Sequence, residues 1–414
     1  MAGEWIDTTV GDIFDLVNGY AFKSTDFLKQ GIPVIKIRNI KAGEFNEHDF
    51  SYVSEKFLCN QNNKLAQFGD LLISMSGNRH DGSPETWVGK VAQFRKNEKH
   101  FINQRVGALR IKPNKEIDSR FASYILSSLP YQKLFIAIAT SSGGQANLSP
   151  AQILSTQIRI PLLPEQRAIA HILGTLDDKI ELNRRMNQTL EDMARALFKS
   201  WFVDFDGVAP EDMQESELGL IPKGWRTSTI GECFALTMGQ SPPGDTYNEA
   251  SEGLPFFQGR TDFGFRYPEN RKYCSAPARI ASAEDTLVSV RAPVGDINLA
   301  LEQCCIGRGV AAIRHLSNAR YFTYHAMRSM QDELRKFEHT GTVFGSINKN
   351  QFNSLQFIEP NLEAIACYEQ TTSTLDDRIK NNIIESRNLK QLRDALLPKL
   401  ISGELRTLRM GAIQ

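Results

Sequence analysis

Apolar residues recur along this chain in two rhythms. Ile169, Leu173, Leu176, Ile180, Asn183, Asn187, Leu190, Ala194, Leu197 and Trp201 follow one another at alternating intervals of four and three. That is a heptad seam, with two positions in seven facing one partner helix. A second seam runs through Leu375, Ile379, Asn382, Ser386, Leu389, Arg393, Leu396 and Leu400. Elsewhere the rhythm is that of short strands. The runs "IPVIKI", "DLLISM", "VGALRI" and "TQIRIP" are β-type and bounded by Gly, Pro and Asn. Two stretches, Ser119–Phe135 and Tyr321–Phe337, have helical spacing instead. The Gly-rich stretches Thr140–Ser149 and His339–Asn348 read as loops.

The two seams are copies. "TLDDKIELN" begins at Thr175 and "TLDDRIKNN" at Thr374, and seven of the nine positions are identical or exchange Lys for Arg. From Leu148 to Phe202 the offset between copies stays at 199 residues, whereas upstream it drifts between 204 and 222. A fixed offset marks an ungapped rod and a drifting one marks loops of varied length, so the chain is a duplicated unit of one globular domain and one helix. The predicted fold is α+β: two mixed α/β domains (1–160 and 222–358) separated by a pair of long antiparallel coiled-coil helices (161–203 and 359–405). An acidic linker (204–221) joins the halves and a tail (406–414) ends the chain. Pro164 and Glu165 suit the start of a helix. Thr175 with Asp178, and Thr374 with Asp377, have capping-box spacing, which predicts a break near Gly174. Asn183 and Asn382 are expected to fix the register of the pair.

Charge and chemistry refine this picture. The net charge is zero, but it is unevenly spread. Residues 1–160 hold 19 bases against 15 acids, residues 222–358 hold 15 against 13, and residues 203–221 hold six acids and no base. Among the 15 bases of the second domain, 11 are Arg, which favours planar bidentate recognition over simple charge. The six cysteines show no paired CxxC spacing, and adjacent Cys304 and Cys305 read as packed thiols in a strand. No apolar run approaches the roughly 20 residues of a membrane span. The start "MAGEWIDTTVGD" has neither a positive region nor an apolar one, so no secretion signal is expected and the cytoplasm is the expected location. The chain has no GxxxxGK[ST] loop, no HExxH and no Asp/Asn-Pro-Pro-aromatic motif, and His315 with His325 lacks a third ligand. Together this points to a binding protein, with no metal and no cofactor expected on the chain itself.

The candidate binding residues repeat as well. Lys36, Arg38 and Asn39 follow the strand "IPVI", and Gln258, Arg260 and Thr261 follow "LPFF" in register. These side-chain types make paired hydrogen bonds to base edges. The loops holding Ser142, Gly143, Gly144 and Gln145, and Thr340, Gly341 and Thr342, offer N–H and hydroxyl groups suited to phosphates. Asn78, Arg79, Gln104, Arg105, Arg266, Arg291 and Arg308 complete the candidate set.

The segment "IPLLPEQRAIAHILGTLDDKIELNRRMNQTLEDMARALFKSWFVDFD" (Ile160–Asp206) closely resembles the central conserved region of the specificity subunits of type I restriction-modification systems. "TLDDRIKNNIIESRNLKQLRDALLPKLISGEL" (Thr374–Leu405) resembles their C-terminal conserved region. The resemblance implies a non-catalytic subunit whose two target-recognition domains each read one half of a split site in double-stranded DNA. It implies helices that bind two adenine methyltransferase subunits and, through them, the motor-nuclease subunits. S-adenosylmethionine, ATP and Mg²⁺ would then belong to those partners, and no membrane is involved. A free-standing nuclease or methyltransferase, and a coiled-coil adaptor unrelated to DNA, are the alternative readings. The stretch Thr175–Trp201 is about 40 Å long as a helix, close to one DNA turn of about 34–36 Å. A spacer of about that length is therefore expected between the half-sites.

Overall fold

The computed structural model describes residues 5–78, 87–142, 144–338 and 345–407. The chain divides into two compact units, Met1–Glu181 with Glu385–Gln414, and Leu182–Ile384. The two long helices, Leu163–Phe202 and Leu362–Ile401, each have 40 residues and give part of their length to each unit. Among the described residues no helix is long and apolar enough to cross a membrane.

In the first unit, an antiparallel sheet runs in the order Val91–Gln93, Leu71–Ser74, Val106–Ile111, Phe14–Asn18. A second sheet is ordered Phe101–Ile102, Ile32–Ile35, Ser51–Val53, Phe27–Leu28. The strand Ile6–Thr9 pairs with Gln157–Ile160, directly before the first long helix. The second unit repeats this frame. Its sheet runs Ile297–Leu299, Thr286–Ser289, Val310–His315, Phe234–Met238, and Arg226–Thr229 pairs with Gln356–Glu359 just before the second long helix. Cys304 and Cys305 lie buried in the strand Cys304–Ile306, with free thiols.

Where one helix was expected over Ser119–Phe135, two form, Ser119–Ser127 and Leu129–Ile138. Pro130 has no N–H to donate and sits comfortably only in a first helical turn, so the chain breaks before it. The Gly-rich stretch after residue 139 is a hairpin, Thr140–Ser142 with Gln145–Asn147, turning at Gly144 with φ +79°.

Within each unit the two long helices run antiparallel. In the first, Arg393 pairs with Asp177 at 2.9 Å and Lys179 with Glu385 at 3.2 Å. In the second, Asn183 Nδ2 donates to the Asn382 carbonyl at 3.4 Å, Asn382 Nδ2 donates to Asn187 Oδ1 at 2.9 Å, and the Tyr368 hydroxyl donates to the Ala194 carbonyl at 3.2 Å. The predicted seam residues Ile169, Leu173, Asn183, Ile379 and Asn382 are buried; Leu176, Ile180, Leu190, Leu197, Leu375, Leu389 and Leu396 are half-buried. The seam also serves the domains. Ile169, Leu173 and Leu400 join Phe121 and Ile125 in the first core, and Phe198, Phe202 and Tyr368 join Phe322 in the second.

The repeated TLDD segment has a role that its capping spacing concealed. The first long helix runs unbroken through Gly174, and Thr175 donates to the His171 carbonyl four residues back. Asp178 is therefore no cap. It receives Arg120 NH1 at 2.8 Å and NH2 at 2.9 Å, while Arg95 approaches to 3.1 Å. Arg120 NH2 also donates to the Gly174 carbonyl at 2.8 Å, and a Cβ at Gly174 would overlap that guanidinium. A larger residue here would have to push the Arg120 guanidinium off the Gly174 carbonyl. Tyr124 donates to Asp177. The second unit uses the same acids differently: the Tyr321 hydroxyl donates to Asp377, and Glu369 accepts the N–H groups of Arg320, Tyr321 and Phe322 at 2.9–3.1 Å. Asp118 provides that cap in the first unit, where its carboxylate accepts from Arg120 and Phe121. In the second unit the capping position is Ala319, and the long helix supplies the missing carboxylate.

Two outcomes follow. Ile379 is fully buried at the seam, so Ile379→Ala is expected to cost about 2–4 kcal/mol in denaturant unfolding, and a loss below about 1 kcal/mol would contradict the packing. The Arg120 guanidinium holds the Asp178 carboxyl below its ordinary range. A depressed folded value stabilises above the unfolded one, about pH 4, and that contribution fades as pH falls through the folded value. Asp178 is half exposed, so Asp178→Asn should cost only about 0.5–1 kcal/mol near neutral pH, with the difference vanishing on acidification well below pH 4. A difference independent of pH would show that the charge is irrelevant.

Candidate nucleic-acid interface

The second domain builds its site at one end of three strands. Leu254–Phe257 leads into a 3-10 turn, Arg260–Asp262, closed by the Phe263 N–H donating to the Arg260 carbonyl at 2.9 Å. The Gln258 N–H donates to Asp262 Oδ2 at 2.8 Å. Arg291 follows the strand Thr286–Ser289, and Arg308 precedes Val310–His315. Backbone hydrogen bonds hold the three segments together: Val290 N–H donates to Gly309 at 2.9 Å, and Gly307 N–H to Phe257 at 2.8 Å. A Cβ at Gly309 would overlap the Gln258 carbonyl, so only glycine permits this approach. The result is an open cleft of about 720 Å³ lined by Gln258, Arg260, Thr261, Arg291 and Arg308, with Ser241, Tyr247 and Pro293 on its walls.

Its electrostatics are cationic. Arg260 is exposed, with Nε 2.7 Å from Asp296. Arg291 and Arg308 are exposed and make no ion pair among the described residues. The wall residue Tyr247 stacks on Phe256 with ring centroids 4.6 Å apart. Sequence reasoning missed Ser241 and Tyr247; their only signal was the turn-forming "SPPG", which Ser241 opens and Tyr247 follows by three residues.

The first domain has the same frame with different side chains. Arg38 lies on the matching 3-10 turn, Ile37–Asn39, exposed, and donates to the Asp49 carbonyl. Lys36 is partly withdrawn: its ammonium donates to Ser51 at 2.8 Å and lies 4.0 Å from the Phe27 ring centroid, and burial lowers its pKa. Gln104 and Arg105 are exposed in a turn tied to the same strand end by Asn103 N–H donating to Ile35 at 3.0 Å. Exposed Asn78 and Gln145 are direct cross-strand partners, Gly144 sits beside them, and Ser142 ends the neighbouring strand. In the alignment of the two halves, Arg38 matches Arg260, Gln104 matches Arg308 and Ser76 matches Arg291. At these three matched positions the first domain presents one arginine and the second three, with Arg105 exposed beside Gln104 in the first.

Two expected contacts are corrected. Asn39 is fully buried: its Oδ1 accepts from Lys36 N–H at 2.9 Å, and its Nδ2 donates to the carbonyls of Asn46 and His48. It shapes the turn and cannot reach a base. Arg266 is fully buried in an ion cluster with Glu191 and Asp376. Arg79, Gly143, Thr340, Gly341 and Thr342 lie outside the described residues.

A duplicated strand-end frame, carrying a polar, arginine-lined cleft in its second copy, has the chemistry of a nucleic-acid-reading module. The comparison with known proteins makes the class specific: residues 3–192 and 222–393 match the type I restriction modification DNA specificity domain, and the chain belongs to that family. The provisionally named MjaX type I restriction enzyme specificity subunit of Methanocaldococcus jannaschii is 29% identical over 97% of this chain and 94% of its own. The HindI specificity subunit of Haemophilus influenzae is 25% identical over 71% of this chain and 79% of its own. The crystal structure of a type I restriction-modification S subunit from M. genitalium shares the fold, with a TM-score of 0.60 at 17% identity, covering 96% of each chain.

Proposed function

We propose that this chain is the non-catalytic DNA-specificity subunit of a type I restriction-modification complex, reading a bipartite site in double-stranded DNA. The observation that carries this is the duplicated strand-end frame, built twice with different hydrogen-bonding side chains and opening as a cleft in the second domain. Arg, Asn and Gln on a fixed frame suit base edges, and changing them changes the sequence read without changing the fold. The proposed contacts are Arg38, Asn78, Gln104, Arg105 and Gln145 in the first domain, with Gln258, Arg260, Thr261, Arg291 and Arg308 in the second. Lys36, Ser142 and Gly144 are proposed to serve the DNA backbone, Lys36 after leaving Ser51.

The long helices are the docking surface for two methyltransferase subunits, with the motor-nuclease subunits bound through them. S-adenosylmethionine, ATP and Mg²⁺ act on those partners, and the complex works in the cytoplasm, where its DNA is. Purified chain alone should neither methylate nor cleave DNA supplied with those cofactors. With methyltransferase subunits added, methylation should appear at a split motif. Methyl transfer or cleavage by the chain alone would overturn the proposal in favour of a free-standing enzyme.

Arg260→Ala should weaken the second half-site alone. Removing a paired hydrogen bond to guanine there corresponds to about 1–3 kcal/mol, with the first half-site read as before. If Arg260 meets only phosphate, binding instead falls on every sequence and the salt slope shrinks by about one ion. Competition binding with half-site variants separates these outcomes.

A further inference from the structure

Beside the reading turn of the second domain, the chain buries a charge where apolar packing is the rule. Arg266 has no exposed surface. Its Nε donates to Glu191 Oε2 at 3.0 Å, and its terminal nitrogens donate to Glu191 and Asp376. Glu191 stands on the first long helix and Asp376 on the second, with side chains 7% and 0% exposed. The guanidinium also lies 4.4 Å from the centroid of the Tyr324 ring, whose hydroxyl donates to Glu191 at 3.3 Å. One cation from the recognition domain thus bridges both helices. Desolvation consumes most of what such a cluster gains, so apolar residues of the same volume would stabilise the fold as well or better. What the planar guanidinium adds is a fixed geometry.

That geometry reaches the cleft through a chain with no slack. Only Phe263, Gly264 and Phe265 separate Arg266 from the turn Arg260–Asp262. Gly264 is held on both sides by the buried Asn298, accepting at 3.3 Å and donating at 3.0 Å, and Leu299 N–H donates to the Arg266 carbonyl at 2.8 Å. Among the described residues the first unit has no such link. The counterpart of Asp376 there is Asp177, which Arg393 of the second long helix itself covers at 2.9 Å, and the counterpart of Glu191 is the exposed Lys390.

We propose that Arg266 is a positioning residue for sequence reading: by clamping its segment to Glu191 and Asp376, it sets the turn Gln258–Asp262, and so Arg260, relative to the long helices. The inference rests on the DNA-reading function proposed above, yet Arg266 itself touches no DNA.

The test uses the full chain with its methyltransferase subunits and a duplex DNA library randomised at both half-sites. Parent protein is compared with Arg266→Lys and with the triple variant Arg266→Met/Glu191→Gln/Asp376→Asn. The triple variant removes the guanidinium and both carboxylates together; Arg328, 3.9 Å from Glu191, keeps its access to solvent, and His325, 3.4 Å from Asp376, is left beside a neutral amide. It should melt close to the parent and select the first half-site unchanged, while enrichment of the second falls by about tenfold or more. Amide exchange at Asp262 and Phe263 should quicken without a matching change in the helices, which a merely stabilising role would not produce. A folded triple variant that selects the second half-site like the parent overturns the proposal. Should the triple variant fail to fold, Arg266→Lys decides: it keeps the charge but cannot bridge both acids, and unchanged selectivity at the second half-site overturns the clamp. A parent that selects no sequence at all would remove the DNA-reading function itself, a different failure from loss of the clamp.

Discussion

A helical segment that pairs with a near copy of itself is the constraint on which this structure depends. In the second unit Asn183 meets Asn382, its own counterpart 199 residues on, and Asn187 completes the contact. When equivalent positions of two antiparallel helices face each other, the pair is symmetric about that point, and one seam can serve both partners. This explains why the offset between copies does not drift along the helices: an inserted residue in one would rotate its seam by about 100° and expose the apolar positions beyond it. The globular parts carry no such constraint, and their loops differ freely in length.

Each helix also meets its domain through acids at fixed places. Asp177 and Asp178 in one copy, and Asp376 and Asp377 in the other, receive Tyr and Arg side chains from the domain beside them. The acids recur, whereas their partners differ. Asp177 is answered by Tyr124 and by Arg393 of the other long helix, while Asp376 is answered by Arg266 of the domain. The frame is shared and the fastening is particular to each half. The strand ends follow the same rule, with Arg38 and Gln104 on those of one domain and Arg260, Arg291 and Arg308 on those of the other.

Much of this was legible in the sequence because helix pairing leaves a periodic trace. The seam from Ile169 to Trp201 indicated the helix, its partner and its buried face, and the register of "IPVI" with "LPFF" placed Arg38 and Arg260 on equivalent turns. Long-range electrostatics leaves no such trace. Thr175 and Asp178 have the spacing of a cap, and only the fold reveals Arg120, 58 residues away in sequence, as the partner of Asp178. Asn39 has the chemistry of a base reader, but a turn needed its amide to tie Lys36, Asn46 and His48 together. Arg266 resembled its exposed neighbours in composition, and its two acids lie 75 and 110 residues away. Residue type indicates what a side chain can bond to, and tertiary structure decides whether DNA or the protein itself receives the bond.

Each of the two domains is proposed to read its own block of DNA. Mapping methylated adenines in cells that express this chain with its methyltransferase subunits tests it most directly. The expected result is a motif of two defined blocks separated by an undefined run, and replacement of residues 222–358 by another recognition domain should change one block while leaving the other intact. A single uninterrupted motif, or an exchange that alters both blocks at once, would contradict it.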